Sequence, residues 1–194
     1  MAKKNRSMSA YQIKVTLNGS DPKIWRRVLV PSNFHLGKLN HVIQMAMGWQ
    51  ESHLHEFVIE NHRYINPDYE PDDIWPGMEK NRDENKLSLQ EVVEVTNKFI
   101  YRYDFGDGWE HEIKIEKTID DLGLYHLPIC IDGENACPPE DCGGIGGYYQ
   151  LLESIKDPSS AEGEEMLRWL GGYFNPISFD PNRINRDTLW MKKW

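Results

Sequence analysis

The segment 98–119 constrains the fold more than any other part of the chain. Residues of like character recur at every second position in both of its halves: Phe99, Tyr101, Tyr103 and Phe105, then Trp109, His111, Ile113 and Ile115. This period of two is typical of strands that bury one face. A loop over 106–108 would pair Tyr103 with His111 in a common class of hairpin. The sequence therefore predicts a hairpin with His111 on the buried, aromatic side and Asp104 on the other side.

The first half of the chain predicts two strands, a helix and a third strand. Alternating apolar residues place the strands over 11–17, 24–30 and 53–60. Apolar residues at helical spacing precede Gly48, which stands where helices commonly end in a left-handed residue. This strand–strand–helix–strand order is reminiscent of a β-grasp fold.

The last third of the chain predicts helices. Apolar spacing and turn residues indicate helices over 148–155 and 162–170, and a short one after Pro181. We therefore expect a single α+β domain over 10–194, with an antiparallel or mixed β-sheet and a C-terminal helical portion packed against it. A flexible basic tail is expected over 1–9.

The composition is that of a folded, water-soluble domain. Of the 194 residues, 39% are hydrophobic and 11% are aromatic, which is more than disordered chains carry. No apolar run approaches the roughly 18 residues of a membrane span, and the start lacks the apolar stretch of a signal peptide. An odd number of cysteines, three, argues against a disulfide framework. These features predict a cytoplasmic protein without a membrane partner.

The net charge of -9 is unevenly distributed along the chain. Residues 1–50 carry 8 Lys and Arg against 1 acidic residue, whereas residues 101–150 carry 3 against 11. A basic stripe at the start would suit phosphate groups, so nucleic-acid binding is one hypothesis. Solvated basic side chains are the alternative, because the acidic middle would repel a nucleic acid wherever the two surfaces adjoin.

Residues 66–86 form a long connection with three prolines and many acidic residues. Connections of this length are usually functional or mobile. Aromatic residues are also abundant for a core of this size, which suits a groove for a peptide or a base. The leading hypothesis is a non-catalytic binding or adaptor module that holds a protein or peptide partner in an aromatic and acidic groove near this connection.

Three histidines are candidate metal ligands. His53 and His55 point to the same side of the predicted third strand, and His111 faces the same kind of interior. Three imidazoles are the ligand set of some open zinc sites. Cys137 or Asp107 would complete the shell around zinc or another divalent metal. Histidines that pair with nearby carbonyl or carboxylate groups are the alternative.

Two carboxylates, Glu140 and Asp141, follow Cys137 after a pair of prolines. Beside a metal, either one would act as general base on a bound water. A divalent-metal-dependent hydrolase or nuclease is therefore the rival hypothesis, and whether the chain is an enzyme stays open. Metal ligation, a reactive thiol and plain packing all remain open for the cysteines, Cys130, Cys137 and Cys142.

Three polar motifs stand in a characteristic order along the chain. They are the His-x-His motif at 53–55, the aromatic Phe-Gly-Asp motif at 103–111 and the Cys-Pro-Pro-Glu-Asp motif at 137–141. Together with Trp25-Arg26-Arg27, they resemble the plasmid pRiA-type ORF-three-like family, whose members are also described as insertion-element passenger TnpR-like proteins. The resemblance covers nearly the whole chain.

The resemblance implies a bacterial or archaeal cytoplasmic α+β domain found on plasmids, mobile elements and chromosomes. It implies no established activity. Combined with the nucleic-acid hypothesis, the resemblance implies a nucleic-acid-binding accessory protein of a mobile element. Because the three motifs are hallmarks of the family, we expect them to build one shared polar site.

Overall fold

The computed structural model describes residues 9–69, 80–121 and 126–187. These residues form eight strands: β1 (Ala10–Leu17), β2 (Trp25–Pro31), β3 (His55–Ile59), β4 (His62–Ile65), β5 (Arg82–Asp83), β6 (Lys98–Tyr103), β7 (Trp109–Ile119) and β8 (Ile129–Glu134). They also form five α-helices: α1 (Leu36–Met47), α2 (Leu89–Val95), α3 (Gly144–Ser154), α4 (Ala161–Trp169) and α5 (Pro181–Asp187). Most of the predicted basic tail and residues 70–79 of the predicted long connection lie outside the described residues.

All eight strands belong to one mixed sheet, in the order β5-β4-β3-β6-β7-β1-β2-β8. Every neighbouring pair is antiparallel except β4 and β5, which are parallel. The predicted α+β class and the opening strand–strand–helix–strand order are therefore confirmed. β3 does not join the first hairpin, because β6 and β7 lie between β3 and β1.

Helix α1 buries an apolar stripe in the core. Leu36, Leu39 and Ile43 are fully buried, as its helical spacing predicts. Gly48 ends the helix in the left-handed conformation, with a φ of 87°, and its N–H donates to the carbonyl oxygens of Gln44 and Met45. The predicted position of this helix end is confirmed.

The hairpin of β6 and β7 has a different register from the predicted one. Tyr101 pairs with His111, where the sequence predicts Tyr103, so the loop spans 104–108 and the predicted three-residue loop is wrong. The reason is Asp104, which leaves the strand with a φ of 53° and accepts hydrogen bonds from two backbone N–H groups of its own loop. A shift of two positions keeps every side chain on its face. The predicted burial of His111 is accordingly confirmed, at 0% exposure.

The C-terminal part contains the three predicted helices, α3, α4 and α5. The Asn185 side chain of α5 binds β8 through the backbone N–H and carbonyl of Cys130, at 2.8 and 2.7 Å. The strands β4, β5 and β8 are absent from the sequence prediction. No helix within the described ranges is long and apolar enough to cross a membrane.

Candidate functional site

A polar cavity of about 440 Å³, here called the histidine cleft, opens beside the N-terminal part of β3. Its walls carry four of the seven histidines of the chain and two carboxylates: His35, His41, His53, His55, Glu51 and Glu84. Helix α1 and the segments at its two ends supply one wall, and the start of β3 supplies another. Convergent polar side chains in one cavity make the cleft a candidate ligand site.

Three of these histidines have partners within the fold. The Nε2 atom of His55 lies 2.8 Å from a carboxylate oxygen of Glu84, and both side chains are nearly buried. The Nδ1 atom of His41 lies 2.7 Å from the Glu51 carboxylate, and this hydrogen bond raises the pKa of His41. His35 caps α1 by accepting a backbone hydrogen bond, and burial lowers its pKa. The cleft is therefore lined by imidazoles in fixed orientations.

His53, the fourth histidine of the cleft, lies between two aspartates. Its Nε2 atom is 3.0 Å from Oδ1 of Asp141 and 3.6 Å from Oδ2 of Asp104. One ligand atom from each of the three residues lies within 4.8 Å of the others. The Nε2 atom is buried, and no described residue meets it in hydrogen-bonding geometry. We call these three residues the His–Asp–Asp cluster.

Both aspartates of this cluster have left-handed backbones. The φ values are 53° for Asp104 and 60° for Asp141. Aspartate tolerates this conformation better than most residues do, and such outliers concentrate at functional sites. Asp104 is 8% exposed, whereas the side chain of Asp141 is 67% exposed. The cluster thus joins a buried carboxylate to an accessible one.

The loop that carries Asp141, residues 135–143, is anchored at several points. The hydroxyl of Tyr103 donates to one carboxylate oxygen of Glu140, and the backbone N–H of Gln50 donates to the other at 2.9 Å. The indole N–H of Trp49 donates to the Pro138 carbonyl at 2.9 Å. These bonds position the loop against the segment that follows α1 and against the end of β6.

The five predicted metal ligands do not converge. Only His53 belongs to the cluster, because His55 is bound to Glu84 and β6 separates β3 from the strand that carries His111. His111 packs in the core with its ring 5.3 Å from that of Trp49, and burial lowers its pKa to about 3. A set made of the three histidines is therefore not assembled.

Asp107 and Cys137 have other contacts. A carboxylate oxygen of Asp107 accepts the backbone N–H of Gly143 at 3.1 Å, which ties the 135–143 loop to the β6–β7 hairpin. Burial raises the pKa of the Cys137 thiol, and it raises those of Cys130 and Cys142 to about 11 and about 12. These cysteines are therefore neutral thiols near neutral pH, which does not suit a thiolate nucleophile.

The predicted general bases differ in their surroundings. Both carboxylate oxygens of Glu140 are engaged in holding the 135–143 loop. Asp141 belongs to the His–Asp–Asp cluster instead. Asp104, the third member, is not among the predicted metal ligands or general bases; the sequence analysis places it only on the side of the hairpin opposite His111.

An apolar pocket of about 240 Å³ adjoins the histidine cleft. The two cavities share four residues: Leu54, His55, Asn66 and Tyr69. Around the pocket, Leu54, Tyr69 and Phe105 are 44%, 62% and 52% exposed. Large apolar side chains exposed next to a cavity are typical of binding surfaces. The pocket contacts Asn66 and Tyr69 of the predicted connection, but its lining contains no acidic residue, and residues 70–79 are outside the described residues. The aromatic and acidic groove stays a prediction.

Several basic residues of the N-terminal quarter are already neutralised or buried. Arg27 forms salt bridges with Glu116 and Asp132, each at 2.7 Å. The guanidinium of Arg26 is buried and donates to three backbone carbonyls. Within residues 9–50, this leaves less positive charge for a phosphate backbone than the sequence count suggests.

Comparison with known proteins identifies the family. The model of the plasmid pRiA4b ORF-3-like protein family matches residues 9–187. The chain belongs to this family. The uncharacterized protein y4hQ of Sinorhizobium fredii is 41% identical over 165 residues, which are 84% of this chain and 81% of that protein. A crystal structure of MM3350, a protein of unknown function from Methanosarcina mazei Go1, matches with a TM-score of 0.79 and 34% identity over 91% of this chain and 97% of that one.

The three sequence motifs that carry the resemblance meet in the His–Asp–Asp cluster. His53 comes from the His-x-His motif, Asp104 from the Phe-Gly-Asp motif and Asp141 from the Cys-Pro-Pro-Glu-Asp motif. The resemblance seen in the sequence is confirmed, and the two similar proteins are described as uncharacterized and as of unknown function. Function must therefore be argued from the site itself.

Proposed function

We propose that this protein is a non-catalytic binding module whose protein or peptide partner lies in the groove formed by the histidine cleft and the apolar pocket. The observation that carries the proposal is the exposed apolar rim of that groove. Leu54, Tyr69 and Phe105 are all at least 44% exposed, next to a cavity that one large apolar side chain would fill.

The two cavities suit different parts of one ligand. The histidine cleft and the apolar pocket share a wall that includes Leu54 and His55. An extended peptide would place an apolar side chain in the pocket and its hydrogen-bonding groups in the cleft. Burying the exposed rim under the partner supplies the main favourable free energy, at about 25 cal/mol per Å² of apolar surface. The internally paired histidines keep the cleft wall in one arrangement, which reduces the entropy lost on binding.

A peptide library displayed on phage tests this proposal. Selection on the wild-type protein should enrich sequences with a large apolar side chain, and the enriched peptides should lose at least about ten-fold in affinity, or 1.4 kcal/mol, towards a Leu54→Ser/Phe105→Ser variant. Both side chains are well exposed, so the variant should fold normally. The matched control is Val95→Ser, which removes an equally exposed apolar side chain outside the groove.

The proposal is contradicted if no peptide is enriched, or if the enriched peptides bind the double variant as tightly as the wild type. The metal-dependent hydrolase and the nucleic-acid-binding accessory protein stay predictions. The engagement of Glu140 within its loop and the internal pairing of Arg27 give them less support than the groove receives.

A further inference from the structure

We propose that the His–Asp–Asp cluster binds a divalent first-row transition-metal cation. The ligand atoms are Nε2 of His53 and one carboxylate oxygen each of Asp104 and Asp141. His53 also lines the histidine cleft, whereas Asp104 and Asp141 do not line either cavity of the proposed groove. Cation binding and peptide binding can therefore be tested separately.

The spacing of the ligand atoms fits a shared cation. With metal–ligand bonds of about 2.1 Å, neighbouring ligands are roughly 3.0 Å apart at right angles and roughly 3.4 Å apart in a tetrahedron. The observed distances from His53 to Asp141 and Asp104 are 3.0 and 3.6 Å. At these distances, Nε2 of His53 forms no hydrogen bond with either aspartate, because the geometry is unsuitable. A nitrogen lone pair directed between the two carboxylates accounts for both observations.

Charge also favours a cation. Asp104 is a nearly buried carboxylate, and among the described residues neither it nor Asp141 forms a salt bridge with a lysine or arginine. Two carboxylates this close together repel each other unless a positive charge lies between them. A divalent cation supplies this charge and uses the imidazole of His53 as a further ligand.

The site is built before a cation arrives. The Oδ1 atom of Asp104 accepts N–H groups from its own loop, which leaves Oδ2 directed at His53. The bonds of Glu140 to Tyr103 and Gln50 fix the residue next to Asp141. Such supporting hydrogen bonds orient metal ligands in known sites.

The donor set points to a class of cation. One imidazole with two carboxylates suits manganese, zinc and similar first-row ions, whereas calcium and magnesium prefer oxygen ligands alone. Three protein ligands leave further coordination positions open, and the exposed side chain of Asp141 gives solvent access to them. Water or an oxygen atom of a ligand would fill these positions.

Isothermal titration calorimetry of the full chain with MnCl2 tests the site. Manganese is the main probe because thiolates bind it less readily than zinc, which reduces interference from the three cysteines. One Mn²⁺ per chain is expected, with MgCl2 and CaCl2 binding at least about ten-fold more weakly. Binding should also raise the melting temperature, because the cation binds the folded state.

Three conservative variants identify the ligands. Asp141→Asn, Asp104→Asn and His53→Gln should each weaken Mn²⁺ binding by at least about ten-fold. Asparagine also tolerates the left-handed conformation, so the two Asn variants keep the backbone. The matched control is Asp21→Asn, an exposed aspartate on the β1–β2 turn, which should bind Mn²⁺ like the wild type.

The proposal is overturned if the wild type binds no Mn²⁺ at millimolar concentration, or if Asp141→Asn and His53→Gln bind as tightly as the wild type. Loss of peptide binding in the Leu54→Ser/Phe105→Ser variant with intact Mn²⁺ binding would support both proposals. Mn²⁺ binding without any selected peptide would support the cation site and contradict the proposed function.

Discussion

Asp104 and Asp141, 37 positions apart in the sequence, both adopt left-handed backbones and both direct a carboxylate at the same imidazole nitrogen of His53. Asp104 directly follows β6, and Asp141 lies in a loop after two prolines. Their convergence depends on backbone conformations that most residues avoid. The geometry of the His–Asp–Asp cluster therefore depends on the left-handed backbone at both aspartates.

Replacing Asp141 by alanine and by glycine tests this link. In ordinary backbone, Gly-to-Ala changes stabilise proteins by about 0.4–1 kcal/mol. At a φ of 60° the order should be reversed, because the alanine Cβ is crowded in the left-handed region. We expect the free energy of unfolding of Asp141→Ala to be about 1 kcal/mol lower than that of Asp141→Gly. Urea denaturation measures the difference; the usual order would show that this backbone is not left-handed.

Gly146 and Gly147 in α3 form a matched pair. A Cβ on Gly147 would lie 1.8 Å from the carbonyl oxygen of Cys142, whereas a Cβ on Gly146 would meet nothing within 4 Å. Gly147→Ala should therefore lose at least about 2 kcal/mol of stability, and Gly146→Ala should gain about 0.5–1 kcal/mol from its higher helix propensity. Chemical denaturation of both variants checks this, and equal stabilities would refute the close approach of α3 to the 135–143 loop.

The Tyr103 hydroxyl joins two loops, since it accepts the backbone N–H of Ser52 at 3.0 Å and donates to Glu140. Tyr103→Phe should lower the free energy of unfolding by about 1–3 kcal/mol and speed amide exchange over 135–143. Tyr149→Phe is the control, because its hydroxyl binds the β1–β2 turn instead. Unchanged exchange over 135–143 in Tyr103→Phe would mean that this hydroxyl does not hold the loop.

His111 gives the protein a defined pH dependence. Burial lowers its pKa to about 3, below the value of about 6.5 in the unfolded chain. As the pH falls, the unfolded state therefore binds a proton before the folded state does. The contribution of neutral His111 to the free energy of unfolding is complete above about pH 6.5. It is lost as the pH falls towards 3, by up to about 1.4 kcal/mol per pH unit.

The comparison is with His111→Phe, which keeps an aromatic ring beside Trp49 and removes the titrating group. Denaturation curves between pH 7 and 4 should show a shallower loss of stability in the variant than in the wild type. Parallel curves would show that His111 is not the neutral, buried histidine described here.

The sequence predicts which faces are buried better than it predicts where the loops lie. The period of two in 98–119 is sufficient to place His111 in the core, because any even shift of register preserves the face. The register itself depends on Asp104, whose side chain binds its own loop. The alternation of apolar and polar residues contains no information about a hydrogen bond between a side chain and its own loop.

The sequence predicts which motifs contribute to the site, but it does not predict how their side chains are arranged. The spacing of the predicted third strand identifies His53 as a candidate, and the three motifs that carry the resemblance contain all three cluster residues. His55 has the same spacing but faces Glu84, a residue from a distant segment. Pairing between distant segments decides which histidine meets the aspartates, and one sequence does not contain that information.

X-ray diffraction from crystals grown with MnCl2, measured at the manganese absorption edge, tests the central claim most directly. The expected result is an anomalous peak within about 2.5 Å of Nε2 of His53 and of one carboxylate oxygen each of Asp104 and Asp141. An anomalous map with no peak there, or with Mn²⁺ bound only at other residues, would contradict it.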